Sequence, residues 1–155
     1  MVVWTWQLNL KMKTPQQQKG TLGENLAVRF LRQKGYEILF RNYKYGRREI
    51  DIIAKDSEQT LVFVEVKLRS SDAYGTPEET VSTKQQNRIM AAAEHYIEHT
   101  NWEHDIRFDI IAIQLRQALP PMINHFEDAF YWDRLRGAVK RSEEHTSELQ
   151  SLTNL

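Results

Sequence analysis

Two segments, Glu49-Ile-Asp-Ile-Ile-Ala54 and Leu61-Val-Phe-Val-Glu-Val-Lys-Leu68, constrain this chain more than any other feature of it. Both are dense in β-branched residues, which suit a pleated surface, and Lys55-Asp-Ser-Glu-Gln59 between them has the length and polarity of a hairpin loop. An antiparallel strand pair is expected. Side chains two apart share a strand face, so Glu65 and Lys67 lie together with Val64 and Val66 turned away, and Asp51 shares a face with Glu49 and Ile53. One face is then charged and one apolar, and a turn region of about five to seven residues brings the Asp51 carboxylate toward Glu65.

The flanking sequence supplies the remaining elements. Thr21-Leu-Gly-Glu24 reads as a capping box, and Leu22, Leu26 and Phe30 at four-residue spacing with Gly35 as a stop predict an amphipathic helix over residues 22–34. A strand follows over residues 36–43. Residues 69–81, with Gly75 and Pro77, read as a loop, after which Ser82 or Thr83 caps a second helix running to about Thr100. That helix buries Ile89, Ala92, Ala93, Tyr96 and Ile97. Residues 106–115 alternate as a strand, Pro120-Pro121 breaks it, and residues 125–132 offer a short edge strand. The expectation is an α/β fold, a mixed sheet flanked by helices in the order α-β-β-β-α-β, with one further β optional.

Composition sets the outer limits. A chain of 155 residues, 41% hydrophobic and 27% charged, has the makings of one domain with one core. Residues 1–18 read as an N-terminal extension, with Met12 an alternative start, and residues 19–132 as the domain. Residues 133–155 read as a tail whose last part, 141–155, is polar and aperiodic and resembles translated sequencing-adapter read-through. Basic and acidic residues total 21 each, so attraction to a polyanion has to come from local patches. The absence of cysteine excludes thiol chemistry and suits a reducing cytoplasm. No signal-peptide pattern opens the chain and no apolar run reaches the roughly 18 residues of a membrane span, so a soluble protein is expected.

Converging carboxylates repel one another and are costly to desolvate, which a hard divalent cation such as magnesium relieves. A cation held by Asp51 and Glu65 would bind phosphate oxygens, and Lys67 beside them would orient an attacking water and stabilise charge developing on a phosphoryl group. The neighbouring carboxylates favour its ammonium form, which suits that electrostatic role better than a free base. On spacing alone the alternative stays open that Glu65 and Lys67 are an ion pair on an exposed sheet. Glu24 likewise reads either as the last member of the capping box or as an additional metal ligand.

The segments Gly23-Glu24, Asn42-Tyr43, Glu49 to Ala54, Phe63-Val-Glu-Val-Lys67, Arg107-Phe-Asp-Ile110 and Glu127-Asp-Ala-Phe130 resemble the bacterial UPF0102 (YraN-like) family over residues 19–132. That family is similar to the PD-(D/E)XK restriction-endonuclease superfamily. The resemblance implies a restriction-endonuclease-like mixed sheet flanked by helices, with Asp51, Glu65 and Lys67 at the catalytic motif, Glu24 a helix-borne addition, and Mg²⁺ or Mn²⁺ as cofactor. Many relatives have Gly immediately before the Glu-Ile-Asp stretch, where this chain has Arg48 and places Gly46 two residues earlier. The implied function is metal-dependent phosphodiester hydrolysis on DNA or RNA; the alternative is a nucleic-acid-binding or interaction module with the same fold and little cleavage.

Basic residues offer a surface for such a partner. Lys84, Arg88, His95 and His99 fall within a helical stripe about 60° wide, and Lys44, Arg47, Arg48 and Arg69 cluster near the hairpin. Phosphate contact, notably through Lys84, Arg88, Arg48 and Arg69, and a merely solvated helix face are both compatible with this pattern. His95-Tyr-Ile-Glu-His99 also matches the H-x-x-E-H zinc pattern, against the simpler reading of two surface histidines. Asp109 and His125 read as ordinary strand-end polar residues.

Overall fold

The computed structural model describes residues 14–69 and 81–131. Helix α1 spans Pro15–Gln33, strands β1, β2 and β3 span Glu37–Tyr45, Arg48–Lys55 and Leu61–Arg69, helix α2 spans Thr83–Thr100, and β4 and β5 span Ile106–Arg116 and Leu119–Phe126. The five strands form one sheet in sequence order, antiparallel throughout except for β3 and β4, which run parallel with α2 as their crossover. The expected mixed sheet is therefore present.

Each helix covers one face. Ala27, Val28 and Leu31 of α1 pack on Ile52, Ala54, Val62, Val64, Ile111 and Ile113. On the other face, Ile89, Ala92 and Ala93 of α2 pack on Ile53, Phe63, Phe108 and Ile110. Because both faces are covered, Leu61 to Glu65 of β3 are buried without interruption, in place of the expected charged and apolar faces. Only beyond Glu65 does β3 become half-exposed.

Helix α1 begins well before the predicted residue 22. Its N-cap is Thr14, with Pro15 in the first turn, and the capping box is Thr14 with Gln17. Thr21 lies inside the helix, its hydroxyl donating to the Gln17 carbonyl. Residues 15–18, assigned from sequence to the extension, are thus helical, and Glu24 is freed from capping. Gly23 suits the close packing of α1 on β3: a Cβ on it would stand 3.3 Å from the Leu68 Cβ, so the two elements would have to give by a few tenths of an ångström.

The second correction concerns β5. Pro120-Pro121 falls inside the strand, which starts at Leu119 after a tight turn with Ala118 at φ +57°. The strand lies at the sheet edge and its pairing with β4 shifts between Gln114 and Arg116, which is where prolines without N–H donors are tolerated. Residues 127–131 lie past it, and Trp132, like most of the loop expected over 69–81, is outside the described residues. In the β1–β2 turn, Gly46 at φ +60° takes the conformation that Arg48 would take only under strain.

Candidate functional site at the fork between two strands

The pairing of β2 with β3 runs through Ile52 opposite Val64 and stops there, while β3 continues alongside β4 to Arg69. One step further along that register Asp51 stands opposite Glu65, at the mouth of a fork. Ile52 belongs to the α1-side core, yet Ile50 belongs to the α2-side core, so β2 loses its strict alternation at Asp51. Asp51 Oδ2 instead accepts a hydrogen bond from the Val66 N–H at 2.7 Å, replacing the backbone partner that β2 has withdrawn. Asn42 faces Asp51 in the β1 register and sits at φ +51°, a second irregularity beside the first.

Glu65 is only 7% exposed. That burial rules out an ion pair on an open sheet. Its Oε1 lies 2.8 Å from Lys67 Nζ and accepts a 2.6 Å hydrogen bond from Gln85 Nε2 of α2. Asp51 Oδ1 and Glu65 Oε2 are the oxygens outside these bonds. Burial, reinforced by the Glu65 charge and less strongly by Glu24, pushes Asp51 up to about 7 against the opposing pull of the Val66 hydrogen bond and Lys67. Burial also raises Glu65, against the Lys67 and Gln85 contacts that favour its ionised form. The fork therefore holds two carboxylates whose joint ionisation is costly without further positive charge.

Glu24 reaches the same neighbourhood from α1. Its Oε2 accepts from Asn42 Nδ2 at 2.8 Å and lies 3.7 Å from Arg41 Nη2. Among the described residues no group of three or more His, Asp or Glu side chains is gathered closely enough to hold a metal, so the tight pair is Asp51 with Glu65 and Glu24 stands beside it. Two carboxylates suffice for Mg²⁺, which keeps several waters and fills its octahedron with substrate oxygens.

The basic residues singled out from sequence are spread over several elements. Lys84 and Arg88 are exposed along α2, and Arg48, the first residue of β2, lies over the Tyr45 ring at 5.6 Å. Arg69 is half-buried at the end of β3. His95 is engaged elsewhere: its Nδ1 lies 2.7 Å from the Tyr43 hydroxyl and its ring stacks on Tyr45 at 4.0 Å, with His99 parallel to it at 6.0 Å. Zinc ligation by that helix is replaced by an aromatic stack.

Gln85 was not legible as a site residue. Ser82-Thr83-Lys84-Gln85 has capping-box spacing, and Ser82 does cap α2 by accepting from the Gln85 N–H, but the Gln85 side chain turns to Glu65. Asp109 and His125 also depart from expectation. Asp109 is fully buried within β4 and accepts from Arg107 at 2.9 and 3.1 Å, from the Asp128 N–H at 3.0 Å, and contacts His125 Nε2 at 2.8 Å. Lys34 joins His125 Nδ1 and Glu127, and Arg107 extends the network to Asp56 and Tyr36. Burial pushes Asp109 up, but the bonds from His125, Arg107 and Asp128 outweigh it and hold the carboxyl below its usual range. This clasp ties the end of α1 and the β2–β3 turn to β4 and β5, away from the fork.

Among known proteins, the description "Uncharacterised protein family UPF0102" matches residues 23–113. A UPF0102 protein of Christiangramia forsetii is 44% identical over 113 residues, covering 73% of this chain and 93% of that one. Another, from Alkaliphilus oremlandii, is 46% identical over 114 residues, covering 72% and 96%. Among solved structures, Pyrococcus furiosus SfsA in complex with Ca²⁺ is 12% identical with a TM-score of 0.32, covering 72% of this chain and 63% of that one.

Proposed function

The chain belongs to UPF0102, a family described as uncharacterised, and from that starting point we propose that it is a divalent-cation-dependent phosphodiesterase acting on nucleic acid. One observation carries the reading: buried Glu65 and half-buried Asp51 stand opposite each other at a fork in the sheet, with the Lys67 ammonium 2.8 Å from Glu65. Desolvation raises both carboxyls and the Glu65 charge raises Asp51 further, a strain that a bound cation relieves and an ordinary structural ion pair does not.

Asp51 and Glu65 would hold Mg²⁺ or Mn²⁺, with Glu24 an accessory oxygen donor. When bound, such a cation polarises a phosphodiester and acidifies its bound water. The chain's own residues do the rest. Val66 N–H and Gln85 fix one oxygen of each carboxylate, so the other oxygens present a set geometry. Lys67, anchored on Glu65, places positive charge where a phosphoryl oxygen gathers negative charge, and positions water by donating to it.

The test is cleavage of single-stranded, duplex and branched DNA and of RNA by the full chain, with and without Mg²⁺ or Mn²⁺, beside Asp51→Asn and Lys67→Ala. Metal-dependent cleavage lost in both variants is expected. Binding without cleavage on every substrate would favour a nucleic-acid-binding module on the same fold, and cleavage surviving both substitutions would place the chemistry elsewhere.

A further inference from the structure

A cleft of about 940 Å³ opens between the first turns of α1 and the ends of β3 and β4. Lys19, Lys67, Arg69 and Arg116 line it, and none of the described lining residues is acidic. Lys67 is also the residue paired with Glu65, so the cleft ends at the fork. Arg116 donates to the Pro120 carbonyl at 3.0 and 2.8 Å, which holds its guanidinium in place at the rim. The α1 N-terminus, with Pro15 and Gln16 in the lining, adds partial positive charge. For a chain with a net charge of zero, four cations on one concavity, with Lys67 paired to Glu65 and no acidic residue among the described lining, is a strong local bias.

Val66, Leu68 and Leu115 interleave with these cations. A duplex hides its base faces within its own stack and offers a protein mainly phosphates, whereas a single strand presents phosphates and apolar base faces together.

Resting on the phosphodiesterase reading, we infer that this cleft is the substrate channel and that it takes a single-stranded nucleic acid, leading the strand past Lys67 to the Asp51–Glu65 pair. The exposed α2 stripe with Lys84 and Arg88 is not the track.

Fluorescence anisotropy in EDTA separates binding from cleavage. The probes are labelled oligothymidylate and oligouridylate of about twelve nucleotides and a duplex of equal length, titrated with the full chain over a salt series. Both single strands bind more tightly than the duplex. Lys19→Ala and Arg69→Ala each weaken single-strand binding several-fold and lower the salt slope by about 0.7, the value for one lost phosphate contact, while Lys84→Ala with Arg88→Ala changes neither. A preference for oligouridylate over oligothymidylate identifies the strand as RNA within the same channel. Duplex binding equal to or tighter than single-strand binding, or loss through the Lys84 and Arg88 changes alone, overturns the inference. Metal-dependent cleavage unaffected by Lys19→Ala and Arg69→Ala overturns this channel and leaves the phosphodiesterase reading standing, whereas intact single-strand binding without cleavage does the reverse.

Discussion

Replacing Asp51 by Asn is expected to stabilise the protein while abolishing its chemistry. Asn has the same shape and accepts the Val66 N–H through its amide oxygen, but carries no charge into the fork. The wild-type carboxyl is displaced from 3.8 to about 7, which at about 1.4 kcal/mol per decade sets a ceiling of about 4 kcal/mol on the cost of folding with Asp51 ionised. Asn retains a desolvation cost and offers the Val66 N–H a neutral acceptor, so a gain of about 1–3 kcal/mol at pH 8 is expected, or roughly 5–10 °C in melting temperature. The sign follows from proton counting. Between pH 3.8 and about 7 the folded chain holds a proton that the unfolded chain has released, so this group's contribution is full below about pH 4 and is lost as pH rises through about 7. The advantage of the variant therefore shrinks to less than half at pH 5. Melting both proteins at pH 5 and pH 8 in EDTA, then adding Mg²⁺, checks each part: the cation should raise the wild-type transition and leave the variant unmoved. A variant no more stable than wild type at pH 8, or an advantage equal at both pH values, would refute the claim that the fork holds a costly carboxylate.

Gln85→Leu removes a hydrogen bond that favours ionised Glu65, so the rising limb of the pH–rate profile should move to higher pH with about a tenfold loss of rate below it; an unshifted limb would count against Gln85 as a positioning residue. Asp109→Asn weakens the acceptor shared by Arg107, His125 and Asp128 and should cost about 3–5 kcal/mol in urea unfolding. Because the folded Asp109 carboxyl titrates below its ordinary value, the stability it supplies is present above about pH 4 and lost on further acidification, a dependence the variant should lack. Gly23→Val places side-chain atoms against Leu68 and should cost about 1–3 kcal/mol in the same assay by pushing α1 off β3.

No helix among the described residues is long and apolar enough to cross a membrane. Within the sheet, what was legible in sequence were features that a few neighbouring residues settle. Periodicity and turn chemistry are local, so the hairpin, the Ser82 cap and the strand beginning at Ile106 emerge close to their predicted limits. Helix α1 was misplaced because two capping boxes compete, and the one with proline in the first turn prevails. The prolines of β5 are tolerated because the strand is an edge, a property of sheet order rather than of the strand's own residues.

The sequence by itself determined the chemical types available and their spacing: Asp51, Glu65 and Lys67 on two strands destined to pair, which the family-specific order of segments reinforced. Only the tertiary structure decided what those groups experience. Burial by two helices raises the carboxyls, the withdrawal of β2 at Ile52 turns Asp51 onto Val66, and α2 delivers Gln85 from 20 residues away in sequence. It likewise gathered Lys19, Lys67, Arg69 and Arg116 around one cleft and buried Asp109 in a clasp that sequence spacing leaves scattered. The physical reason is that desolvation and charge coupling depend on distances through space, and a one-dimensional pattern constrains those distances only between near neighbours.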